Sequence, residues 1–87
     1  MELMNVYFFY GFFYRMLDLS FNKIKHIKNI DTLTSLEDIY FVSNRISKIE
    51  NLDNLTLVTN LELGANKIRV SYYTMYFGFG GGNNIRE

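Results

Sequence analysis

The chain has 87 residues, nine basic and nine acidic side chains that cancel to a net charge of zero, and no cysteine. Balanced charge gives no reason to expect nucleic acid or an anionic membrane as a partner. The lack of cysteine excludes the disulfide-capped repeat proteins of the extracellular space, so the composition favours a reducing, intracellular compartment. The length is sufficient for one small domain.

Residues 1–13 form an aromatic flank. From Tyr7 to Tyr14, seven of eight positions are aromatic. Three interpretations stay open: aromatic strands that cap a repeat array, an exposed segment prone to aggregation, or a stretch that is not native to the domain. The start, residues 1–3, carries no basic residue, and no small-residue cleavage site follows, so we expect no signal peptide. No stretch approaches the roughly 20 apolar residues of a membrane span.

A motif recurs with a fixed 22-residue period between residues 14 and 70. Its copies, residues 17–24, 39–46 and 61–68, read L-x-L-x-x-N-x-I with conservative swaps. The L-x-L part has the two-residue period of a short strand, and the apolar residues at every third position afterwards suit a loop or 3₁₀-like return path. A fixed period in the range of roughly 20–29 residues with this frame is typical of leucine-rich repeats. The asparagines of the motif form a ladder: Asn22, Asn44 and Asn66.

The repeat predicts an α/β-type leucine-rich repeat solenoid, with short parallel strands on its concave face and loop or 3₁₀ returns. Neighbouring strands would lie about 4.8 Å apart. At each bend we expect the asparagine amide to bond backbone groups that the turn leaves unpaired. When the 22-residue period is projected beyond the motif in either direction, few of the positions expected to be apolar carry an apolar residue. The array therefore comprises residues 14–70, two full units and half of a third. Neither flank has the polar composition of a cap.

Residues 71–87 form a tail rich in aromatic residues and glycine. The run from Gly78 to Gly82 lacks the Gly-Lys-Ser/Thr ending of a phosphate-binding loop, so it predicts no nucleotide site. Because an array without caps exposes a sheet edge with apolar interior behind it, we expect self-association through the open solenoid ends.

The residue between the two aliphatics of each L-x-L is expected to point outward, because successive strand residues face opposite sides. These residues form one column, in which an aromatic ring stands between two carboxylates. Such a column suits a partner with basic and apolar groups, and tyrosine is a favoured anchor at interfaces. A solvated sheet face is the alternative interpretation. The candidate contact residues are Asp18, Tyr40 and Glu62, with Val42 in the neighbouring column.

A second column follows the asparagines: Lys23, Arg45 and Lys67. Three cations about 5 Å apart repel one another modestly in water, so stacking them adds no stability. Three interpretations of this column stay open: the cations contact an acidic partner, neighbouring acidic residues neutralise them, or they form an ordinary solvated edge.

Catalysis finds no support in the sequence. His26 is the only histidine, and no cysteine is present to pair with it. No nucleophile–base pair and no metal-ligand cluster is visible. The sequence therefore predicts a binding protein rather than an enzyme, with no cofactor and no metal.

The repeats resemble those of a known family. Residues 17–22, 44–52 and 61–69 are similar to consecutive early repeats of the protein phosphatase 1 regulatory subunit 7 family, an intracellular array of 22-residue leucine-rich repeats. The resemblance covers residues 17–69. It implies a regulator of the protein serine/threonine phosphatase 1 catalytic subunit, present in nucleus and cytoplasm, which binds that subunit on the concave face. By position, the contacts would come from Asp18, Tyr40 and Glu62.

The chain departs from the family in two respects. The family commonly has phenylalanine at the position of Tyr40, and it has many more repeats and a C-terminal cap. Two alternatives therefore stay open. One is another intracellular leucine-rich repeat scaffold, such as a cytoskeletal, axonemal or spliceosomal adaptor. The other is a truncated fragment without independent function, because so few repeats bury little apolar area against about 1.5 kcal/mol of ordering cost per residue.

Overall fold

A computed structural model of the chain describes residues 14–69 and, for the backbone alone, residues 84–86. The predicted aromatic flank 1–13, the last residue of the predicted array (70) and residues 71–83 and 87 of the predicted tail lie outside the described residues. Four short strands form one open parallel sheet in chain order. The strands are β1 (Met16–Asp18), β2 (Asp38–Tyr40), β3 (Asn60–Glu62) and β4 (Asn84–Arg86).

The sheet register reproduces the period of the sequence. Leu17 is paired with Ile39, and Ile39 with Leu61, so each of the first three strands is shifted by one repeat period from its neighbour. The ladder continues past the strand ends, where the Leu19 N–H donates to the Tyr40 carbonyl at 2.8 Å. Each residue therefore lies beside its equivalent in the next unit, which confirms the predicted parallel strands. We call each such level of the sheet a rung.

Strand β4 lies within residues 71–87, for which the sequence predicts a tail. Its Ile85 is paired with Leu61, a shift that is longer than the repeat period. Projection by one period from Leu61 reaches Asn83, two positions before Ile85, and therefore does not identify this strand. A slightly longer connection explains the difference, since lengthening a loop adds little closure entropy.

The apolar columns of the repeat form the core. In β2 and β3 the strand residues that point away from the open face, Ile39 and Leu61, are buried, and so is every third residue of the first two return paths. Leu17, Leu19 and Ile68 are partly buried against the same cluster. The core predicted from the period is thus confirmed for the described residues. Its fully packed members are Ile24, Ile27, Ile30, Leu33, Leu36, Ile39, Phe41, Ile46, Ile49, Leu52, Leu55, Val58, Leu61 and Leu63.

Each return path is a series of turns. The Leu33 N–H donates to the Ile30 carbonyl at 3.0 Å, and the Leu36 N–H donates to the Leu33 carbonyl at 3.1 Å. The equivalent bonds recur in the next unit at 3.0 and 3.3 Å. These bonds link residues three apart, as in a 3₁₀ turn, but residues 14–69 contain no continuous helix. Of the two predicted kinds of return path, the loop is the one present.

The backbone enters the left-handed region at equivalent places in successive units. The angle φ is 58° at Phe21, 58° at Ser43 and 56° at Ala65, directly before each ladder asparagine. A second set, Asn29 and Asn51, has φ of 63° and 61°. Asparagine tolerates this conformation, whereas residues with an ordinary Cβ adopt it at a steric cost of about 1 kcal/mol.

We expect Ser43→Gly to raise the free energy of unfolding by about 0.5 kcal/mol, because glycine adopts a positive φ without that steric cost. The matched control is Ser47→Gly in the same unit, where φ is not positive. There, the loss of the side chain is expected to lower the free energy of unfolding by about 0.5–1 kcal/mol. Urea unfolding of both variants measures the difference, and equal effects would contradict the left-handed turn at Ser43.

Candidate functional site

The predicted contact residues lie in one column on the open face of the sheet. Asp18 is paired with Tyr40 across β1 and β2, and Tyr40 is paired with Glu62 across β2 and β3. Paired parallel strands bring these residues to about 4.8 Å from one another along the sheet. The residues that precede Tyr40 and Glu62 in their strands are the buried Ile39 and Leu61, so the alternation sends the column outward.

Tyr40 occupies the centre of this face. Its side chain is half-buried, and the Asn60 side-chain amide donates to the Tyr40 hydroxyl oxygen at 3.3 Å. Asn60 belongs to the next rung and to the neighbouring outward column, which also contains Asp38. Because this bond and the partial burial restrict the ring before any partner arrives, binding at Tyr40 would cost less side-chain entropy than binding at a freely rotating ring.

The carboxylates on either side of Tyr40 differ in their surroundings. Asp18 is exposed, and its Oδ1 accepts the Ser20 N–H at 3.0 Å. That local bond orients the Asp18 carboxylate at the end of β1. Glu62 is half-buried and lies on the third rung. Among residues 14–69, the column therefore has a carboxylate on both sides of one aromatic ring, and Arg86 of β4 is in register with Glu62.

Val42 lies in the column next to this one. Its side chain is half-buried, and its N–H donates to the Ser20 Oγ at 3.0 Å. Here a side chain supplies the acceptor for a link between two rungs and holds the backbone of Val42 in place. The period of the sequence does not predict this role of the Ser20 hydroxyl. The signal in the sequence is that Ser20 occupies the position where the next two units have Val42 and Gly64, which carry no hydroxyl.

The side chain of Asn44 holds the backbone behind the open face in place through hydrogen bonds. It is the buried polar residue of the described range, at 8% exposure. Its amide nitrogen donates to the carbonyls of Leu19 and Phe41, both at 3.0 Å, and its Oδ1 accepts the Ile24 N–H at 3.0 Å. One side chain thus satisfies backbone groups of two rungs in the middle of the apolar core.

The same pattern occurs one rung further. The Asn66 amide nitrogen donates to the Phe41 carbonyl at 2.7 Å and to the Leu63 carbonyl at 3.0 Å, and its Oδ1 accepts the Ile46 N–H at 3.0 Å. On the first rung, Asn22 donates to the Leu19 carbonyl at 2.9 Å. The ladder therefore fastens each later rung to the one before it, and this fixes the spacing of the outward columns.

The cation column lies at the edge that follows the asparagines. Lys23, Arg45 and Lys67 are exposed. Their backbone is fixed by bonds between rungs, for example from the Arg45 N–H to the Ile24 carbonyl at 2.8 Å. Within residues 14–69, no carboxylate forms an ion pair with these three side chains. Neutralisation by neighbouring acidic residues, one of the three interpretations of this column, is therefore not observed in the described range.

His26 and the polar residues of the return paths lie outside the contact column. His26 is two-thirds exposed, and its Nδ1 lies 3.6 Å from the Glu50 Oε2. Among the residues that the structure describes, no three His, Cys, Asp or Glu side chains are grouped to hold a metal ion. An open depression of about 380 Å³ lies between the return paths. It is lined by Lys28, Asn29, Asp31, Asn51, Asp53 and Asn54.

In the described part of the chain, no helix has the length and apolar character needed to cross a membrane. No protein-family model matches the chain, and no curated protein matches it significantly.

Proposed function

We propose that the described residues are part of a short leucine-rich repeat solenoid that binds a protein partner through its open sheet face. Three features support the solenoid: the constant shift by one repeat period between the first three strands, the buried apolar columns and the bonds of the asparagine ladder. Repeats of this class stack so that each buries its apolar face against its neighbours, which leaves the strand face available to a partner.

The contact column carries the proposal. Asp18, Tyr40 and Glu62 lie in register, and the ring of Tyr40 is already restricted by Asn60. A partly buried aromatic residue surrounded by complementary charge is a typical energetic centre of an interface. The partner that fits this column has a basic surface with an apolar group at its centre.

The resemblance supplies the class of partner. Residues 17–69 resemble repeats of a regulatory subunit of protein serine/threonine phosphatase 1, so we assign the catalytic subunit of that phosphatase as the partner. A location in nucleus and cytoplasm belongs to the same proposal, and the absence of cysteine is in keeping with it. Binding requires no cofactor.

We expect the double substitution Tyr40→Ala with Glu62→Ala to weaken binding of the phosphatase catalytic subunit at least about tenfold, because it removes the aromatic centre and one carboxylate. Titration of the purified catalytic subunit against immobilised full-length chain gives the affinity. Tyr40→Phe is expected to keep most of the binding, since it retains the ring. The matched control is Leu57→Ala, which removes a side chain that is 54% exposed on the return path.

The wild-type chain decides between the candidate functions. Failure of the folded wild-type chain to bind the catalytic subunit would refute the phosphatase assignment. Recovery of a cytoskeletal, axonemal or spliceosomal protein in an unbiased pulldown analysed by mass spectrometry would instead support another repeat scaffold. Equal losses from the face variant and from Leu57→Ala would show that the column is not the contact site.

A further inference from the structure

Two sets of charged side chains among residues 14–69 form surfaces of opposite sign. The charged residues at the outward positions of β1–β3 are carboxylates, and Arg86 of β4 is in register with the last of them, Glu62. The edge after the asparagines carries cations and no carboxylate. We call the first surface the acidic face and the second the basic ridge. The acidic face contains Asp18, Asp38 and Glu62, and the basic ridge contains Lys23, Arg45, Lys67 and Arg69.

The two surfaces have the same spacing of charge. Each of the three rungs contributes one carboxylate to the acidic face and at least one cation to the basic ridge, because both surfaces follow the register of the repeat. Successive charges along each surface are therefore separated by about 4.8 Å along the stacking direction. If two molecules align their stacking directions, cations of one ridge stand opposite carboxylates of the other face on the first two rungs, which lie farthest from Arg86.

Within residues 14–69, no carboxylate neutralises the cations of the basic ridge. Lys23, Arg45, Lys67 and Arg69 are exposed, and none has an ion-pair partner within residues 14–69. Their mutual repulsion falls when an anionic surface approaches. The net charge of zero means that two whole molecules do not repel each other at long range, a condition that favours association.

Both surfaces also carry exposed apolar side chains. Phe21 precedes the first ridge cation and is 79% exposed, and Met16 lies on the first rung of the acidic face and is 57% exposed. Exposed ion pairs alone contribute little to association, so an apolar contact is needed to hold the charges in register. Phe21 gives the ridge an aromatic anchor, and Met16 and Tyr40 give the face an apolar surface to receive it.

We propose that the acidic face binds the basic ridge of a second copy of this chain. Lys23, Arg45 and Lys67 each follow the contact-column residue of their rung by five positions, so ridge and face keep a constant offset. A two-fold arrangement then places the ridge of each molecule against the face of the other and closes the pair. This contact uses side chains of the sheet and its edge, and it differs from association through the open solenoid ends. This contact would form on the same surface that we propose for the protein partner. The inference rests on the charge pattern, so it does not depend on whether that partner is the phosphatase.

Sedimentation equilibrium of the full chain tests the proposal through its dependence on salt. We expect an average mass above that of the 10.3 kDa monomer in about 50 mM NaCl, and a rise in the dissociation constant of at least about tenfold in about 500 mM NaCl. A monomer in both conditions would overturn the proposal. So would association that is equally strong or stronger in high salt, since that is the behaviour of apolar contacts between open ends.

Charge reversal identifies the two surfaces. The ridge variant Lys23→Glu with Arg45→Glu and the face variant Asp18→Lys with Asp38→Lys are each expected to be monomeric in low salt, because like charges then meet. An equimolar mixture is expected to associate again, since each reversed surface faces its complement. Failure of the folded variants to associate on mixing would overturn the proposal.

Two further variants keep this test independent of folding and of net charge. Asp38→Lys alone replaces the double face variant if loss of the Asp18 bond to Ser20 prevents folding, as circular dichroism reports. Lys28→Glu changes the net charge as much as Arg45→Glu does, but it lies on the return path. Lys28→Glu is expected to leave association unchanged, and a loss equal to that of Arg45→Glu would count against a specific ridge.

Discussion

Asn44→Ala is expected to lower the free energy of unfolding by about 3 kcal/mol, a large part of the stability of a domain this small. The carbonyls of Leu19 and Phe41 each keep a bond to another ladder asparagine. The Ile24 N–H has no such replacement, since its bond runs to the Asn44 Oδ1 in the apolar core. An unpaired buried donor accounts for most of the expected loss.

Asn22→Ala is the matched control, because it makes the same substitution on the first rung. Asn22 is only half-buried, and its amide bonds carbonyls of its own rung. We expect a loss of about 1 kcal/mol. Urea unfolding followed by circular dichroism compares the two variants. Equal losses would show that bonds between rungs contribute nothing beyond those within a rung.

Phe41→Ala is expected to have the largest effect, a loss of about 3–5 kcal/mol that leaves the chain largely unfolded at room temperature. Phe41 is fully buried on the central rung and is the largest of the buried side chains in the described range. Its removal opens a cavity between neighbouring units that short strands and turns cannot easily close. The measurement is again the urea midpoint, or the loss of the folded signal without urea.

The chain offers the same substitution at an exposed position as a control. Phe21 is 79% exposed, and alanine at that position would have the same steric cost at φ of 58°. In about 500 mM NaCl, where the proposed pair dissociates, Phe21→Ala is therefore expected to change the free energy of unfolding by less than about 0.5 kcal/mol. A destabilisation comparable with that of Phe41→Ala would mean that the two phenylalanines are not divided between surface and core as the register requires.

Much of the fold follows from the period alone. A fixed repeat with aliphatics in constant columns predicts parallel strands and identifies the buried residues, because stacked units must bury equivalent positions. Strand β4 could not be predicted from the period, because its longer shift places it outside the projected register. The left-handed conformation at Phe21 is equally hidden in the sequence, because phenylalanine has no preference for positive φ.

The candidate site was predictable to a similar extent. Strand alternation places Asp18, Tyr40 and Glu62 in one outward column without any knowledge of tertiary contacts. The bond from Asn60 to the Tyr40 hydroxyl depends on the rotamers of two side chains on different rungs, and the period carries no information about rotamers. The absence of ion pairs to the ridge cations within residues 14–69 likewise depends on distances to acidic side chains, which composition does not give.

Urea unfolding of the wild-type full-length chain, followed by circular dichroism, tests the central claim that so few rungs form a folded face. We predict one cooperative transition, because the asparagine ladder and the shared core couple the rungs. A gradual, non-cooperative change from the lowest urea concentrations would contradict the account. That result would favour a truncated fragment without independent function.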